Sequence, residues 1–132
     1  MKRIVHKRFA LLLLLAALFI SSCQPENPLS KLETLADWLR EQGYSSAYRL
    51  LAETGISVNM PIENESAWYL FQVGDEELYV YFDTSNRAKQ LVEQFFSDAS
   101  YGRTAAFRLR FIVNYRGEDE GILGLLDSME RQ

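Results

Sequence analysis

Two short runs of aromatic and branched residues, AWYLFQV and ELYVYF, are separated by the turn-forming residues Gly74-Asp75-Glu76. Such side chains suit the pleated, half-buried surface of a sheet, and a glycine in the connection is typical of a hairpin. The two runs therefore predict a β-hairpin. Because side chains alternate along a strand, Tyr79 and Tyr81 are expected to point away from the core. The core side of the second run carries Leu78, Val80 and Phe82.

Three segments have apolar residues at helical spacing. The first lies near residues 30–42, between Ser30 as a start signal and Gly43 as a stop signal. The second lies near residues 86–97, with Thr84 or Ser85 as the cap. The third follows the acidic turn at residues 117–120, where negative charge favours a helix N-terminus. The apolar positions are Leu32, Leu35, Trp38 and Leu39, then Ala88, Leu91, Val92, Phe95 and Phe96, then Ile122, Leu125, Leu126 and Met129.

The segment FRLRFIVNY, residues 107–115, alternates strictly along its length. This pattern predicts one half-buried strand, with Phe107 and every second residue on one side and Arg108 and Arg110 on the other. The stretch before the hairpin is ambiguous, and a short strand around residues 47–51 is one interpretation of it. The element order is thus α-(β)-β-β-α-β-α. It predicts an α+β domain over residues 30–132, with a small antiparallel or mixed sheet of three to four strands and helices packed on it.

The N-terminus has the layout of a secretory signal peptide. Four basic residues within the first eight precede an apolar run from Phe9 to Ile20. As a helix these twelve residues would cover about 18 Å, which is short of a bilayer core of about 30 Å. The sequence therefore predicts a cleavable signal peptide over residues 1–22 rather than a membrane-spanning helix.

The residues that follow, Ile20-Ser21-Ser22-Cys23, resemble the lipobox of bacterial lipoproteins. The resemblance implies cleavage between Ser22 and Cys23 and a diacylglyceryl group on the Cys23 thiol, which would anchor the chain in a membrane. An ordinary cleavable signal followed by a free or buried cysteine is the alternative. Residues 23–29 are then a lipidated tether, since QPENP is polar and rich in proline.

The resemblance also bears on location. Gln24 stands where an aspartate would favour retention in the inner membrane of a Gram-negative host. We therefore expect the periplasmic side of the outer membrane in such a host, and the outer face of the cell membrane otherwise. The run from Leu78 to Asp83, followed by Ser85 and Ala88-Lys89, resembles small bacterial lipoproteins with a tyrosine-rich hairpin leading into a helix. That second resemblance implies a fold and no activity.

Charge and residue usage restrict the chemistry of the part after the signal peptide. It holds ten Lys and Arg against eighteen Asp and Glu, a net charge of −8 that disfavours nucleic acid and anionic headgroups as partners. The only histidine, His6, lies in the leader, and the only cysteine is Cys23. Histidine-based catalysis and the usual zinc sites are therefore not expected. A serine–lysine pair using Lys31 or Lys89 is formally open, but both lysines lie on solvated helix faces.

No other catalytic, metal or cofactor site is predicted. The acidic turns at residues 75–77 and 118–121 lack the spacing of a calcium loop. One group of side chains is a candidate binding face for an envelope protein or a glycan, since such residues are enriched at binding hot spots. The group consists of Trp68, Tyr79, Tyr81, Arg108 and Arg110.

Two functions therefore stand. The favoured one is a membrane-anchored, non-enzymatic binding or accessory module, and the other is a small envelope hydrolase or hydrolase inhibitor that uses carboxylates. There are two structural alternatives to binding there: a helix covers the candidate face, or the arginine side chains simply lie across the tyrosine rings in cation–π contacts.

Overall fold

The computed structural model describes residues 28–62 and 67–132. The predicted signal peptide, Ser22, Cys23 and the tether up to residue 27 lie outside these residues. The predicted α+β class is confirmed, with five strands rather than three to four. No helix within the described ranges has the length and apolar character needed to cross a membrane. Within these ranges the α-helices are α1 (Pro28–Glu41), α2 (Ala88–Phe95) and α3 (Glu120–Met129), and 3-10 helices span Leu51–Thr54 and Ala99–Tyr101. The strands are β1 (Ser46–Leu50), β2 (Trp68–Val73), β3 (Glu76–Phe82), β4 (Arg103–Phe107) and β5 (Phe111–Tyr115).

The five strands form one antiparallel sheet in the order β1-β2-β3-β5-β4. The predicted hairpin is confirmed as β2 and β3, in which Trp68 pairs with Tyr81 and Val73 with Glu76. The turn of this hairpin contains Gly74, whose φ of 61° is a conformation that glycine adopts without steric cost. The last residue of β3, Phe82, pairs with the first residue of β5, Phe111, and this pair lies at the opposite end of the sheet from the β2–β3 turn.

Helices α1 and α3 cover the first face of the sheet. Leu32, Leu35 and Leu39 of α1 are fully buried, as is Leu126 of α3. Helix α3 is fixed further by Arg103 of β4, whose guanidinium lies 2.9 Å from Asp127 and 2.8 Å from Glu130. The main core lies in this layer, where apolar burial supplies most of the driving force for folding. Its sheet side consists of Tyr69, Phe71, Val73, Leu78, Val80, Phe82, Ala105, Phe107, Phe111, Val113 and Tyr115.

The prediction of one continuous strand over residues 107–115 is wrong. Strands β4 and β5 form a second hairpin in which Phe107 pairs with Phe111, and residues 108–110 make the connection. Arg108 has a φ of 54°, the left-handed conformation that a hairpin of this length requires at one loop position. Glycine or asparagine usually fills such a position, so the sequence Arg-Leu-Arg gives no turn signal. Alternation alone cannot distinguish this hairpin from a single strand.

Helix starts also differ from the prediction. Helix α1 begins at Pro28 rather than near Ser30, since proline is well suited to the first turn. Helix α2 begins at Ala88, and neither Thr84 nor Ser85 caps it. Instead Asp83, which is buried, organises the entry loop. Its carboxylate accepts hydrogen bonds from the Ser85 amide at 3.1 Å, the Ser85 hydroxyl at 2.6 Å and the Arg87 amide at 2.6 Å.

These hydrogen bonds make Asp83 a pH-dependent stabiliser. Burial opposes ionisation, but the bonds from Ser85 and Arg87 outweigh it and hold the pKa of Asp83 below its usual value. The stabilisation is therefore complete above the unfolded pKa of about 3.9 and is lost as the pH falls through the lower folded pKa. We expect Asp83→Ala to lower the free energy of unfolding by about 2 kcal/mol at pH 7. Urea unfolding from pH 7 to pH 2 measures this difference and its decline in acid.

The matched control is Asp75→Asn, because Asp75 lies exposed in the β2–β3 turn. We expect that variant to change stability by less than about 0.5 kcal/mol at either pH. An equal effect of the two substitutions would contradict the role of Asp83 in stabilising the entry loop of α2.

Candidate functional site

The predicted binding face does not exist as an exposed surface. Trp68, Tyr79 and Tyr81 do project from the same side of the sheet, as the alternation predicted. That second face is covered, however, by α2 and by the segment from Leu51 to Ile62. Trp68 is 1% exposed and Tyr79 is 9% exposed. The structural alternative, a helix over this face, is therefore what the fold adopts.

The aromatic side chains pack against one another and against α2. The ring of Trp68 lies 5.3 Å from that of Tyr81 and 6.2 Å from that of Phe96, between centroids. Burial raises the pKa of Tyr79 and of Tyr81, and the carboxylate of Glu77 adds to the effect at Tyr79. These phenols are thus neutral parts of a second core.

The two arginines of the predicted face lie elsewhere. Arg108 and Arg110 belong to the β4–β5 turn, at the end of the sheet, rather than to strand positions beside the tyrosines. The guanidinium of Arg108 lies 4.8 Å from the ring centroid of Phe107, and Arg110 donates to the side chain of Asn86 at 2.8 Å. The structure thus separates the five predicted residues into a buried aromatic group and a basic turn.

A cavity of about 600 Å³ opens beside the buried aromatic group. This volume lies within the range of about 300–1,000 Å³ that is usual for ligand pockets. Of the five predicted residues, only Trp68 contributes to its wall. Two exposed polar residues, Ser57 and Asn59, form its rim. The apolar lining is formed by Leu51, Val58, Met60, Ile62 and Trp68.

The outer wall of the cavity is formed by residues 55–62, which have no regular structure and follow a 3-10 helix at Leu51–Thr54. Polar contacts from two side chains, Trp68 and Arg116, hold this wall against the sheet. The indole nitrogen of Trp68 donates to the carbonyl oxygen of Ile62 at 3.1 Å. The guanidinium of Arg116 donates to the carbonyl oxygen of Asn59 at 2.6 Å and lies 3.3 Å from the sulfur of Met60. The shape of the cavity therefore depends on these two side chains.

Arg116 is itself oriented by a buried amide. Its Nε donates to Asn114 Oδ1 at 2.9 Å, and Asn114 has no exposed surface. The amide nitrogen of Asn114 donates to the carbonyl oxygen of Tyr101 at 2.6 Å and to the hydroxyl of Thr104 at 2.7 Å. A fully satisfied polar network of this kind fixes one arrangement of its members. The network connects strand β4 to the wall of the cavity.

Carboxylates suited to hydrolysis are less well arranged. A groove of about 310 Å³ between α2 and α3 brings together Lys89, Glu93 and Glu130. Glu130 forms an ion pair with Arg103, with 2.8 Å between the guanidinium and the carboxylate. In the described part of the chain, no three potential metal-ligating side chains cluster. The cavity beside Trp68 is lined by no acid among the described residues. Apolar side chains in its wall and polar groups at its rim meet there, as they do in sites that bind a ligand.

The cavity was not predicted from the sequence, because its lining residues carry no motif. Val58, Met60 and Ile62 alternate with Asn59 and Pro61 in a stretch that has neither a strand nor a helix. Trp68 was the one usable signal, since a buried indole needs a partner for its N–H. Comparison with protein-family models, with curated proteins and with solved structures finds no match for this chain.

Proposed function

We propose that this chain is a lipid-anchored protein of the bacterial cell envelope that binds a partner and catalyses no reaction. The cavity beside Trp68 is the single observation that carries the binding role. The lipobox-like residues ending at Cys23 support the anchor, and two acyl chains would make the attachment stable.

The partner is a protein that inserts an apolar side chain into the cavity. The apolar side chains in the wall, such as Met60 and Trp68, favour such a group by removing its surface from water, and the polar groups, which make up the larger part of the lining, fix its orientation. The exposed positions Ser57 and Asn59 supply that rim. Arg116 holds the rim segment in place, so that the binding site is formed before the partner arrives.

Site-specific photo-cross-linking in cells tests this proposal. A photoreactive amino acid replaces Ser57 at the rim in the full-length chain, and the cross-linked partner is identified by mass spectrometry. We expect one envelope protein to be cross-linked. We also expect Val58→Trp, which fills the cavity, to reduce the yield at least about tenfold, as a loss of about 1.4 kcal/mol in binding would.

The matched control places the photoreactive group at Asp75, in the β2–β3 turn away from the cavity. Cross-linking from Ser57 that survives Val58→Trp, or that equals cross-linking from Asp75, would contradict the cavity as the site. If the photoreactive group at Ser57 cross-links only to glycan, the partner is a carbohydrate and the proposed protein partner is wrong. Cell fractionation tests the anchor separately: Cys23→Ser should move the chain from the membrane fraction to the soluble fraction.

A further inference from the structure

One end of the domain carries a concentration of positive charge. A groove of about 320 Å³ lies between the first turns of α1, the β4–β5 turn and the loop before α2. Three of the ten basic side chains that follow the predicted signal peptide line it, namely Lys31, Arg108 and Arg110. No acidic side chain among the described residues lines it, although the chain that follows the predicted signal peptide has a net charge of −8. The negative net charge predicts repulsion of the whole chain from anionic lipid. The fold nevertheless gathers these three basic side chains at one end of the domain, where attraction to anionic lipid is expected.

Exposed apolar side chains accompany this charge. Leu109, at the tip of the β4–β5 turn, is 62% exposed, and Leu29, in the first turn of α1, is 54% exposed. Leucines beside arginines and lysines are the combination found where proteins rest on a membrane interface. At such interfaces the leucines enter the headgroup region and the basic side chains contact the phosphates.

The tip is held rigidly in this position. The carbonyl oxygen of Leu109 accepts from the Ala88 amide at 3.2 Å, and that of Arg110 accepts from the Asp83 amide at 2.6 Å. Arg108 adopts a left-handed φ of 54°, where glycine would be less strained. A residue other than glycine persists in such a conformation where the surrounding structure fixes it, as these hydrogen bonds do.

The route of the chain places this end next to the anchor. Helix α1 begins at Pro28, only five residues after Cys23, and five residues span at most about 18 Å. A lipid on Cys23 would therefore hold the N-terminal end of α1 within that distance of the bilayer. The β2–β3 turn lies at the opposite end of the sheet and would face away.

We propose that the end formed by Lys31, Arg108, Leu109 and Arg110 docks on the anionic phospholipid surface of the membrane that holds the chain. This inference rests on the proposed lipid anchor, which fixes the distance, while charge complementarity selects the surface. Docking would hold the domain in one orientation, with the cavity beside Trp68 presented at a constant height.

Amide hydrogen exchange on vesicles tests the docking. The full chain is purified with its lipid and reconstituted into phosphatidylcholine vesicles with or without phosphatidylglycerol. We expect residues 107–111 to exchange more slowly only on the anionic vesicles, and the β2–β3 turn to exchange equally on both. Each removed charge should lower the docked-to-undocked ratio about fivefold. The double variant Lys31→Gln, Arg108→Gln should therefore lose the slowing.

The control variant is Arg40→Gln, which removes one charge at the other end of α1, where Arg40 pairs with Asp37 at 2.8 Å. It should keep the slowing. Equal exchange at residues 107–111 on the two kinds of vesicle would overturn the proposal. So would equal slowing by inorganic phosphate without vesicles, which would indicate a site for free anions.

The intact mass of the purified chain shows whether Cys23 carries a lipid, so that a failure of the anchor can be distinguished from a failure of docking. If Cys23 carries no lipid, the proposed anchor fails, and the chain is instead sedimented with the same vesicles. Binding to anionic vesicles that the double variant loses would then still support the docking surface, and the absence of binding would overturn it.

Discussion

Trp68→Ala should lower the free energy of unfolding by about 4 kcal/mol, the usual cost of truncating a large buried aromatic side chain. The indole packs on Tyr81 and Phe96 and also donates to the carbonyl oxygen of Ile62. The substitution thus removes a core side chain and leaves that carbonyl without its donor. Urea unfolding followed by circular dichroism measures the change in midpoint at constant slope.

Two further variants separate the contributions. Trp68→Phe keeps an aromatic ring but loses the bond to Ile62, and we expect a loss nearer 1–2 kcal/mol, about the cost of one buried hydrogen bond with some packing. Phe95→Ala is the control on α2, because Phe95 is 40% exposed. It should cost less than about 1 kcal/mol. Similar losses for Trp68→Ala and Phe95→Ala would show that the second face is not closed as described.

Asn114→Leu should lower the free energy of unfolding by about 3 kcal/mol, since it removes three hydrogen bonds from a buried site and leaves their partners unpaired. The partners are the Tyr101 carbonyl, the Thr104 hydroxyl and Arg116 Nε. Because Arg116 holds the wall of the cavity, the same variant should speed amide exchange in residues 56–62. Hydrogen exchange with mass spectrometry measures that local effect alongside urea unfolding.

Gln72→Leu provides the matched change of an amide to leucine on the same face of the sheet. The Gln72 amide is exposed and donates to the carbonyl oxygens of Gly74 and Glu76 in the adjacent turn. We expect a change of less than about 1 kcal/mol, with no effect on exchange in residues 56–62. Faster exchange there after Gln72→Leu, or none after Asn114→Leu, would contradict the proposed connection from Asn114 to the cavity wall.

Local patterns predicted most of the elements of this fold. Helical spacing located α1, α2 and α3, and the aromatic runs around Gly74 located β2 and β3, because these segments each bury one face and repeat at a fixed period. Strand β4 was missed over most of its length. Its sequence, RTAAF, contains small residues and an arginine, and Arg103 is held by an ion pair with α3 that only the folded chain reveals.

The candidate site was less predictable than the fold. Alternation placed Trp68, Tyr79 and Tyr81 on one face correctly, but it carries no information about what packs on that face. The covering segment from Leu51 to Ile62 has no periodic pattern, and the position of Arg116 depends on the buried Asn114. Such long-range contacts are set by the tertiary fold. The positions of Arg108 and Arg110 were wrong because a turn without glycine looks like a strand.

The connections within the sheet differ greatly in length, and this difference sets an order of assembly. Two residues join β2 to β3 and three join β4 to β5, whereas residues 83–110 separate β3 from β5. Short loops close at lower entropic cost, so we expect the two hairpins to form first and the pairing of β3 with β5 to come late. Until that pairing, each hairpin exposes an unpaired inner strand of aromatic and branched residues. The middle of the finished sheet is therefore where newly made chains are most prone to aggregate.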